Sequence, residues 1–330
     1  MQEILLSHGG GGEEMNSLIN EIIFNIFDNE ILREANDAAI LDVSGKLAFT
    51  TDSFVVTPIF FRGGNIGKIA ICGTANDLSM VGANPMYISC SLIIEEGLKI
   101  DELKEILTSM QETASKNGIK IVCGDTKVVE KGKCDKIFIN TSGIGKIVSK
   151  PIETKNLKEG AKILLSGDIG RHGAVILEAR DEIGFKSSLK SDCKCLKDVV
   201  LALLDANIEI LAMRDATRGG LSAVLNEWAS FTNNEIKIYE EKIKVRDEVT
   251  GICELLGFES YELANEGTFV LAVSAKDSDK ALEILKSFDE NAACIGEVTQ
   301  TKKPRVILQN AYKSERFLEL PKGELLPRIC

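Results

Sequence analysis

The order of strand-like and helix-like segments is the feature that most limits the fold of this chain. Two apolar, β-branched runs typical of strands, Ile119–Val129 and Lys136–Val148, follow one another with no helix-length segment between them. A strong helical pattern, Asp101–Asn117, precedes the pair, and we expect Asp101 to cap this helix and Gly118 to end it. Because a regular βαβ series needs a helix between successive strands, the mixed order predicts an α+β fold.

The same criteria predict further elements in both halves of the 330 residues. Helices are predicted at Glu13–Phe27, Gly64–Gly82, Gly173–Ile183, Cys195–Asn207, Gly219–Phe231, Arg246–Leu256 and Asp277–Phe288. Strands are predicted at Leu47–Thr57, Met86–Ile94, Ala161–Ser166, Ile208–Met213, Glu235–Tyr239, Thr268–Val273, Ala293–Val298 and Val306–Leu308. Each half therefore mixes helices with strands.

A polar stretch around Pro151 separates the two halves. The length fits about two domains at roughly 150 residues each, so we expect an N-terminal domain over residues 1–150 and a C-terminal domain over 151–320. Pro321, Gly323 and Pro327 disfavour a helix or a central strand near the end of the chain. Residues 321–330 are therefore predicted to form a flexible tail.

The charge balance excludes some classes of protein. Asp and Glu number 50 against 39 Lys and Arg, which gives a net charge of −11. A general nucleic-acid binder would instead carry a basic stripe. No run approaches the roughly 18–20 apolar residues that a membrane-spanning helix needs, and the start of the chain lacks a signal-peptide pattern. We expect a cytoplasmic protein.

The chain has nine cysteines and two histidines. The odd number and the apolar surroundings of several cysteines argue against a disulfide framework. Without clustered Cys and His spacing, a zinc site is not expected either. Cys330 stands apart as the last residue: its position is an accident of where the chain ends, or it is a nucleophile on a flexible tether.

Four successive glycines, Gly9, Gly10, Gly11 and Gly12, precede the first predicted helix. Backbone without Cβ atoms can approach a phosphate closely, and the amides at a helix start can bind its oxygens. The alternative is a flexible lead-in to the helix.

Four aspartates lie beside strand ends and turns or within an apolar helix: Asp37, Asp52, Asp77 and Asp125. Carboxylates in such places are costly unless they are paired or bind a metal, and oxygen ligands suit Mg²⁺. Capping and turn formation are the alternative, especially for Asp37 and Asp125.

Lys127 and Glu266 are candidates for proton transfer. Lys127 lies in a predicted strand close to Asp125, and Glu266 lies in a turn before the strand Thr268–Val273. A solvent-facing strand charge and an ordinary turn are the respective alternatives.

Two glycine-containing turns, Asp168–Gly173 and Asp215–Gly220, each join a strand to a helix. In the second turn, Asp215 or Thr217 is expected to cap the helix, and the glycine pair would admit a phosphate. We expect His172 to form hydrogen bonds at a helix start rather than to catalyse. Cys193 and Cys195 are expected to have no catalytic role.

Taken together, these motifs resemble the HypE family of hydrogenase maturation proteins, within the superfamily of aminoimidazole ribonucleotide synthetase and selenophosphate synthetase. The resemblance covers essentially the whole chain and is carried by the runs His8–Gly12, Thr51–Phe54, Gly63–Lys68, Cys72–Asp77, Gly124–Val129, Asp168–Gly173, Arg214–Gly220, Ala264–Gly267 and Pro327–Cys330. The terminal Pro-Arg-Ile-Cys is the motif specific to the HypE family.

The resemblance implies a fold and a reaction. The fold would combine two α/β domains of the aminoimidazole ribonucleotide synthetase type: an N-terminal domain whose sheet pairs with that of a second subunit, and a C-terminal α+β domain followed by a mobile tail. The reaction would be an ATP-dependent dehydration: the partner HypF loads a carbamoyl group on Cys330 as a thiocarboxamide, and the product is a thiocyanate. A HypC–HypD complex would then accept the cyanide ligand of the [NiFe]-hydrogenase iron.

The resemblance also implies roles for individual residues. Lys127 and Glu266 would be the bases, and Gly9–Gly12 would cover the phosphates. Other nucleotide contacts would come from Asp52, Asn65, Lys68, Asp77, Asp125 and Thr126. The Mg²⁺ ligands would be Asp37, Asp52, Asp77 and Asp125.

The chain departs from the family pattern at Arg171, where Asp is usual, and at Thr268, where Lys is common. Any carboxylate role at the first position is thereby put in doubt, and the added positive charge could contact phosphate or the tail.

Two other functions stay open. A sister enzyme of the selenophosphate synthetase or kinase type would act on a free small molecule, and a scaffold would bind nucleotide without catalysis.

Overall fold

The computed structural model describes residues 3–34, 38–180, 184, 187–322 and 326–330. The chain divides into two compact units. The N-terminal unit contains residues 1–79 and 83–148 together with Cys330, and the C-terminal unit contains residues 80–82 and 149–329. Each unit mixes helices with strands, which confirms the predicted α+β class.

The N-terminal unit is built on a four-stranded sheet. Its strands are β1 (Leu47–Phe54), β4 (Ala83–Glu95), β5 (Lys120–Val129) and β6 (Ile137–Ile147), in the order β1-β6-β4-β5; β2 (Phe60–Phe61) and β3 (Gly64–Asn65) form a separate short hairpin. The pair β4 and β5 is parallel, whereas the other pairs are antiparallel. Strands β5 and β6 follow one another directly, as the sequence predicts. β1 and β5 are therefore the two edges of the sheet.

The helices of this unit are α1 (Glu13–Ser17), α2 (Phe24–Ile26), α3 (Glu30–Arg33), α4 (Ile66–Met80) and α5 (Ile100–Lys116). The predicted helix Glu13–Phe27 forms, but its middle is a π-helix over Leu18–Ile23. The predicted cap at Asp101 is wrong: the N-cap is Lys99, and Asp101 lies inside the first turn. A carboxylate there still interacts favourably with the helix dipole.

Only one face of the four-stranded sheet is covered within the described part of this unit. Helix α4 lies close against it, since a Cβ at Gly143 of β6 would meet the Thr74 side chain of α4 at 2.7 Å. The opposite face carries exposed apolar side chains, led by Phe49 at 70% exposure, with Leu47 and Ile93 at 45% and 43%. The sheet therefore presents an apolar surface to solvent.

The C-terminal unit contains a seven-stranded sheet in the order β13-β12-β9-β11-β7-β10-β8. The strands are β7 (Lys162–Leu165), β8 (Ile210–Asp215), β9 (Glu235–Tyr239), β10 (Phe269–Val273), β11 (Ala293–Val298), β12 (Arg305–Gln309) and β13 (Glu315–Phe317). Only β9 and β12 pair in parallel among these described strands.

Helices cover both faces of this sheet, and β10 is buried throughout. The helices are α6 (Arg171–Ala179), α7 (Lys197–Asp205), α8 (Gly220–Thr232), α9 (Asp247–Leu256) and α10 (Ser278–Phe288). Val270 and Ala272 belong to the core that contains Trp228 of α8, whereas Leu271 belongs to the core that contains Leu203 of α7. Alternate side chains of one strand thus enter two cores.

The structure corrects two further expectations in this unit. Gly219 is the N-cap of α8 and no side chain caps it, so the predicted capping by Asp215 or Thr217 is wrong; β8 continues through Asp215 instead. Strand β13 was not predicted: its three residues are exposed, and two of them, Glu315 and Arg316, are charged. No helix among the described residues is long and apolar enough to cross a membrane.

Candidate functional site

Two of the predicted carboxylates meet where β1 lies against α4. Thr50 and Asp52 alternate along β1 and therefore share a face, and Thr74 and Asp77 are three residues apart on α4. The Thr74 hydroxyl donates to Asp52 Oδ2 at 3.2 Å, and the Thr50 hydroxyl donates to Asp77 Oδ2 at 2.7 Å. Strand and helix each supply one carboxylate and one hydroxyl, so the two carboxylates lie in one polar cluster.

Asn65 and Lys68 lie together at the start of α4. Asn65 is buried, and its side-chain oxygen accepts a hydrogen bond from the Lys68 amide at 3.0 Å. The Lys68 ammonium donates to the Gly63 carbonyl oxygen at 2.8 Å. Both predicted nucleotide contacts are therefore hydrogen-bonded to the backbone around the start of α4, and the ammonium keeps further N–H donors for another partner.

The glycine run lies against the edge strand β5. Leu6–Gly9 form a short 3₁₀-helix, and Gly12 precedes α1. A Cβ at Gly9 would meet the Val128 amide nitrogen at 2.8 Å, so only glycine permits this close approach. The structure thus brings the first glycine of the run next to the strand that carries Asp125 and Lys127.

Asp125 and Lys127 form an exposed ion pair on β5, with 2.7 Å between Lys127 Nζ and Asp125 Oδ1. This hydrogen bond, with a further one from the Thr126 amide at 2.9 Å, holds the pKa of Asp125 below its ordinary value. Thr126 itself is buried and points to the other face of the strand. The ion pair keeps the ammonium at the outer side of the edge strand.

The carboxylates do not all converge within one chain. Asp52 lies on edge strand β1 and Asp125 on the opposite edge strand β5, three strand spacings or about 14 Å away. Across the described ranges, no three His, Cys, Asp or Glu side chains lie close enough to hold a metal ion. Asp37 lies outside the described residues. One chain therefore supplies two separate groups of predicted ligands.

Glu266 belongs to the C-terminal unit and is buried at 3% exposure. Its neighbour Asn265 is fully buried and fixes the loop: the side chain accepts from the Gly170 amide at 2.7 Å and donates to the carbonyl oxygens of Ala216 and Leu263. The loop is therefore anchored to both glycine-containing turns that the sequence singled out.

Sequence reasoning missed Asp192, which supports the Glu266 loop. Its carboxylate accepts hydrogen bonds from the amides of Glu266 at 3.2 Å and Gly267 at 2.9 Å. Asp192 lies in a segment without helical or strand periodicity, so no pattern pointed to it. Lys190 and Lys194 lie two residues to either side, so the charge of Asp192 gave no signal either.

Arg171, where the family pattern has Asp, pairs with Asp168. Its Nε lies 2.8 Å from one Asp168 oxygen, and Arg246 Nε lies 2.6 Å from the other. Asp168 is 2% exposed in its side chain, so the two guanidinium groups compensate a buried carboxylate. The guanidinium group of Arg171 therefore neutralises a carboxylate of its own turn.

Cys330 joins the N-terminal unit, where an oxygen of its terminal carboxylate accepts a hydrogen bond from the Val55 amide at 2.9 Å. Val55 directly follows β1, three residues after Asp52.

None of the nine cysteines forms a disulfide bond. Burial raises the pKa of Cys90 to about 12 and that of Cys195 and Cys253 to about 11, and it also raises the pKa of Cys123, Cys134 and Cys294. These six thiols are therefore poor nucleophiles near neutral pH.

Comparison with known families gives two matches that divide the chain. Residues 35–147 match the N-terminal domain of AIR synthase related proteins, and residues 158–309 match the C-terminal domain of the same proteins.

Individual relatives match over their full length. Carbamoyl dehydratase HypE of Escherichia coli K12 is 45% identical, with 100% of both chains covered. The Rhodobacter capsulatus protein of the same name is 39% identical, with 100% of this chain and 98% of the relative covered.

Solved structures agree with these matches. A hydrogenase maturation protein HypE in complex with ATP superimposes with a TM-score of 0.95 at 40% identity, covering 99% of both chains. A chain of a HypE–HypF complex gives 0.81 at 44% identity, covering 92% of this chain and 100% of that one. Thiamine monophosphate kinase from Aquifex aeolicus, at 18% identity and a TM-score of 0.64, shares the fold alone and covers 81% of this chain and 89% of its own. The chain belongs to the HypE family of carbamoyl dehydratases, which act in hydrogenase maturation.

Proposed function

We propose that this chain dehydrates a carbamoyl group carried on its own Cys330, using ATP, and so supplies cyanide for the [NiFe]-hydrogenase iron centre. The observation that carries the proposal is the position of Cys330: its backbone is bound at the end of β1, three residues from Asp52 in the carboxylate cluster. Three extended residues span about 10 Å, which a cysteine side chain bearing a carbamoyl group and a nucleotide phosphate can bridge.

The chemistry needs an activated oxygen, because an amide oxygen is a poor leaving group. Transfer of the γ-phosphoryl group from ATP to the thiocarboxamide oxygen turns that oxygen into part of a phosphate ester. Loss of phosphate, with removal of the amide protons, then leaves a thiocyanate on the sulfur, together with ADP and inorganic phosphate. An ATP complex of a relative at 40% identity supports ATP as the phosphoryl donor.

The chemistry of the side chains suggests a role for each candidate residue. Lys127 and Glu266 are proposed to remove the amide protons. Asp52 and Asp77 fit a magnesium–nucleotide site because they offer hard oxygen donors held by threonine hydroxyls. Mg²⁺ would neutralise charge on the triphosphate there. Gly9–Gly12, Asn65, Lys68, Asp125, Thr126 and the undescribed Asp37 are the other proposed contacts.

We further propose that the active form is a homodimer joined through the open sheet face of the N-terminal unit. Phe49, Leu47 and Ile93 expose a large apolar area there, which a second copy would cover. Since Asp52 and Asp125 lie on opposite edges of one sheet, a second sheet across this face also offers a way to bring unlike edges together. Two-fold pairing of one surface with itself is the commonest form of dimer.

HypF is the proposed source of the carbamoyl group, and a HypC–HypD complex is the proposed cyanide acceptor. A solved complex between a relative at 44% identity and HypF supports the first partner. We place the reaction in the cytoplasm, where reduced thiols such as Cys330 persist.

Mass spectrometry of the C-terminal peptide tests the function directly. The chain is incubated with HypF and carbamoyl phosphate, and ATP is then added. We expect a carbamoyl adduct on Cys330 that converts to a cyano adduct only with ATP, while Cys330→Ala binds ATP normally and forms neither. Cys294→Ser, which alters another half-buried thiol, serves as the control and should behave as the wild type.

Two results would overturn the proposal. Full turnover by Cys330→Ala on a free substrate would favour a sister enzyme of the selenophosphate synthetase or kinase type. Absence of any adduct on Cys330 in the wild type, with ATP bound, would favour a nucleotide-binding scaffold.

A further inference from the structure

The end of the chain is held in the C-terminal unit through its backbone carbonyl oxygens. Arg180 Nη2 donates to the carbonyl oxygen of Pro327 at 2.6 Å and to that of Arg328 at 3.0 Å. His172 Nε2 lies 2.8 Å from the carbonyl oxygen of Ile329, the residue before Cys330. Because these contacts use the backbone, they do not depend on whether the terminal thiol is free or modified.

A fixed chain of hydrogen bonds sets the tautomer of His172. The Ile329 carbonyl oxygen can only accept, so His172 Nε2 carries the ring proton and donates it there. In the neutral ring Nδ1 then accepts from the Ser191 hydroxyl at 2.8 Å, and Ser191 Oγ itself accepts from the Cys193 amide at 3.1 Å. His172 is fully buried, and burial lowers its pKa, which favours this neutral form.

The next residue of the same segment holds the Glu266 loop. Asp192 accepts from the amides of Glu266 and Gly267, and the Lys194 amide donates to the Glu266 carbonyl oxygen at 3.3 Å. A Cβ at Gly267 would meet the Asp192 carbonyl oxygen at 1.9 Å, so only glycine allows the two backbones to lie this close. Adjacent residues, Ser191 and Asp192, thus connect the tail anchor to the Glu266 loop.

We propose that Ser191 and Asp192, acting with His172, form a positioning bracket that sets the tail and the Glu266 loop in a fixed relation for dehydration. The inference rests on the proposed function, since it takes Cys330 as the bearer of the carbamoyl group. None of the three residues needs to touch the reacting atoms. They are positioning residues: His172 fixes the peptide unit before Cys330, and Asp192 fixes the backbone of Glu266.

Single-turnover kinetics on protein already carbamoylated by HypF measures the dehydration step alone. His172→Phe keeps the ring volume but removes both hydrogen bonds, and we expect dehydration to slow about tenfold or more. His172→Gln can still donate to Ile329 and should recover most of the rate. Ser191→Ala, a milder change that removes only the hydroxyl, should slow the step as well, and it keeps the test valid if His172→Phe does not fold.

Two further measurements separate positioning from a general loss of structure. ATP affinity should be unchanged in these variants, and carbamoylation by HypF should proceed at least as fast as in the wild type, because a loosened tail reaches the partner more readily. Thr299→Val is the matched control, since it removes a polar contact to Glu235 elsewhere in the same unit. Wild-type dehydration rates in both His172→Phe and Ser191→Ala would overturn the proposal, as would equal slowing in Thr299→Val.

Carboxypeptidase digestion tests the bracket without relying on the reaction. Release of Cys330 should be several-fold faster in His172→Phe than in the wild type or in Thr299→Val. Unchanged release would contradict the bracket even if the dehydration chemistry is correct. Faster release combined with no carbamoyl adduct in the wild type would instead retain the anchored tail and reject the proposed function.

Discussion

At the scale of single residues, buried polar side chains hold the loops around Glu266 in the C-terminal unit. His172 and Asn265 are fully buried, and Asp192 is 5% exposed, yet each is hydrogen-bonded to a segment distant in the chain. Leaving such a group unpaired costs about 1–3 kcal/mol, so these side chains specify one arrangement of the loops around Glu266. Their effect depends on partners more than 70 positions apart in the chain, such as Asp192 with Glu266.

His172 also makes stability depend on pH. Burial lowers its pKa in the folded protein below the ordinary value of 6.5, although the charge of Asp192 and the hydrogen bond to Ile329 oppose the shift. The folded state therefore binds no proton at His172 in the range where the unfolded chain does. Stability from this residue is complete above about pH 6.5 and falls as the pH drops from there towards the lowered value.

Urea unfolding at several pH values checks this effect. Between pH 6.5 and 5.5 the wild type should lose up to about 1 kcal/mol more unfolding free energy than His172→Gln, which has no titrating group at this position. From pH 7 to 8 the difference between the two proteins should stay constant. Parallel curves over the whole range would show that His172 is not kept neutral by the fold.

At the scale of elements, the close contact of β4 and β5 fixes the position of the Asp125 motif. The strands pair in parallel, with Cys90 opposite Gly124. A Cβ at Gly124 would meet the Cys90 carbonyl oxygen at 2.1 Å, so the side chain of any other residue would push the strands apart. The glycine that precedes Asp125 is therefore required by strand packing and needs no contact with a ligand to explain it.

Two matched substitutions test this packing argument. Gly124→Ala should lower the unfolding free energy by about 2 kcal/mol or more, because backbone atoms must move. Gly251→Ala, in helix α9 with no atom near its Cβ position, should raise it by about 0.5–1 kcal/mol. Denaturant unfolding of both variants gives the comparison. A neutral Gly124→Ala would mean that the sheet adjusts more easily than the 2.1 Å approach implies.

Periodicity predicted most elements, and it failed where structure depends on something other than an apolar pattern. The strand Glu235–Tyr239 forms as predicted, and α4 forms within Gly64–Gly82. Strand β13 has no buried side chain, and the π-helix keeps the apolar spacing of an ordinary helix, so neither has a distinctive pattern. The two N-cap predictions, for α5 and α8, failed because the adjoining turn sets the residue at which a helix begins.

The residues of the candidate site also differ in whether a local sequence pattern marks them. Asp52, Asp77 and Asp125 are predicted from the sequence because each is a charge in an apolar run or a turn, which is a local signal. Asp192 and Arg180 act on residues distant in sequence. The segment 187–196 around Asp192 has no period, and Arg180 is one charged residue at the end of a predicted helix, so nothing local marks either of them. That Asp52 and Asp125 occupy opposite edges follows from strand order, which the sequence pattern does not determine.

At the scale of the whole molecule, the strand order decides how many chains one site requires. If the proposed homodimer forms through the open sheet face, Phe49→Asp places a charge in the interface and should yield monomers. Phe231→Asp is the matched control, since Phe231 is 69% exposed in the C-terminal unit and its replacement should leave a dimer. Sedimentation equilibrium distinguishes these states, and a dimeric Phe49→Asp would place the interface elsewhere.

Complementation then tests whether one site combines the two sheet edges from different chains. Asp52→Asn and Asp125→Asn should each be inactive alone. In a mixed dimer, one site would contain both substitutions and the other neither. Equal amounts, unfolded and refolded together, should therefore recover about a quarter of the wild-type dehydration rate, because half of the dimers are mixed and each has one intact site. If each chain built its site alone, the mixture would stay inactive, and the 14 Å between the edges would have to be closed by a change within the sheet itself.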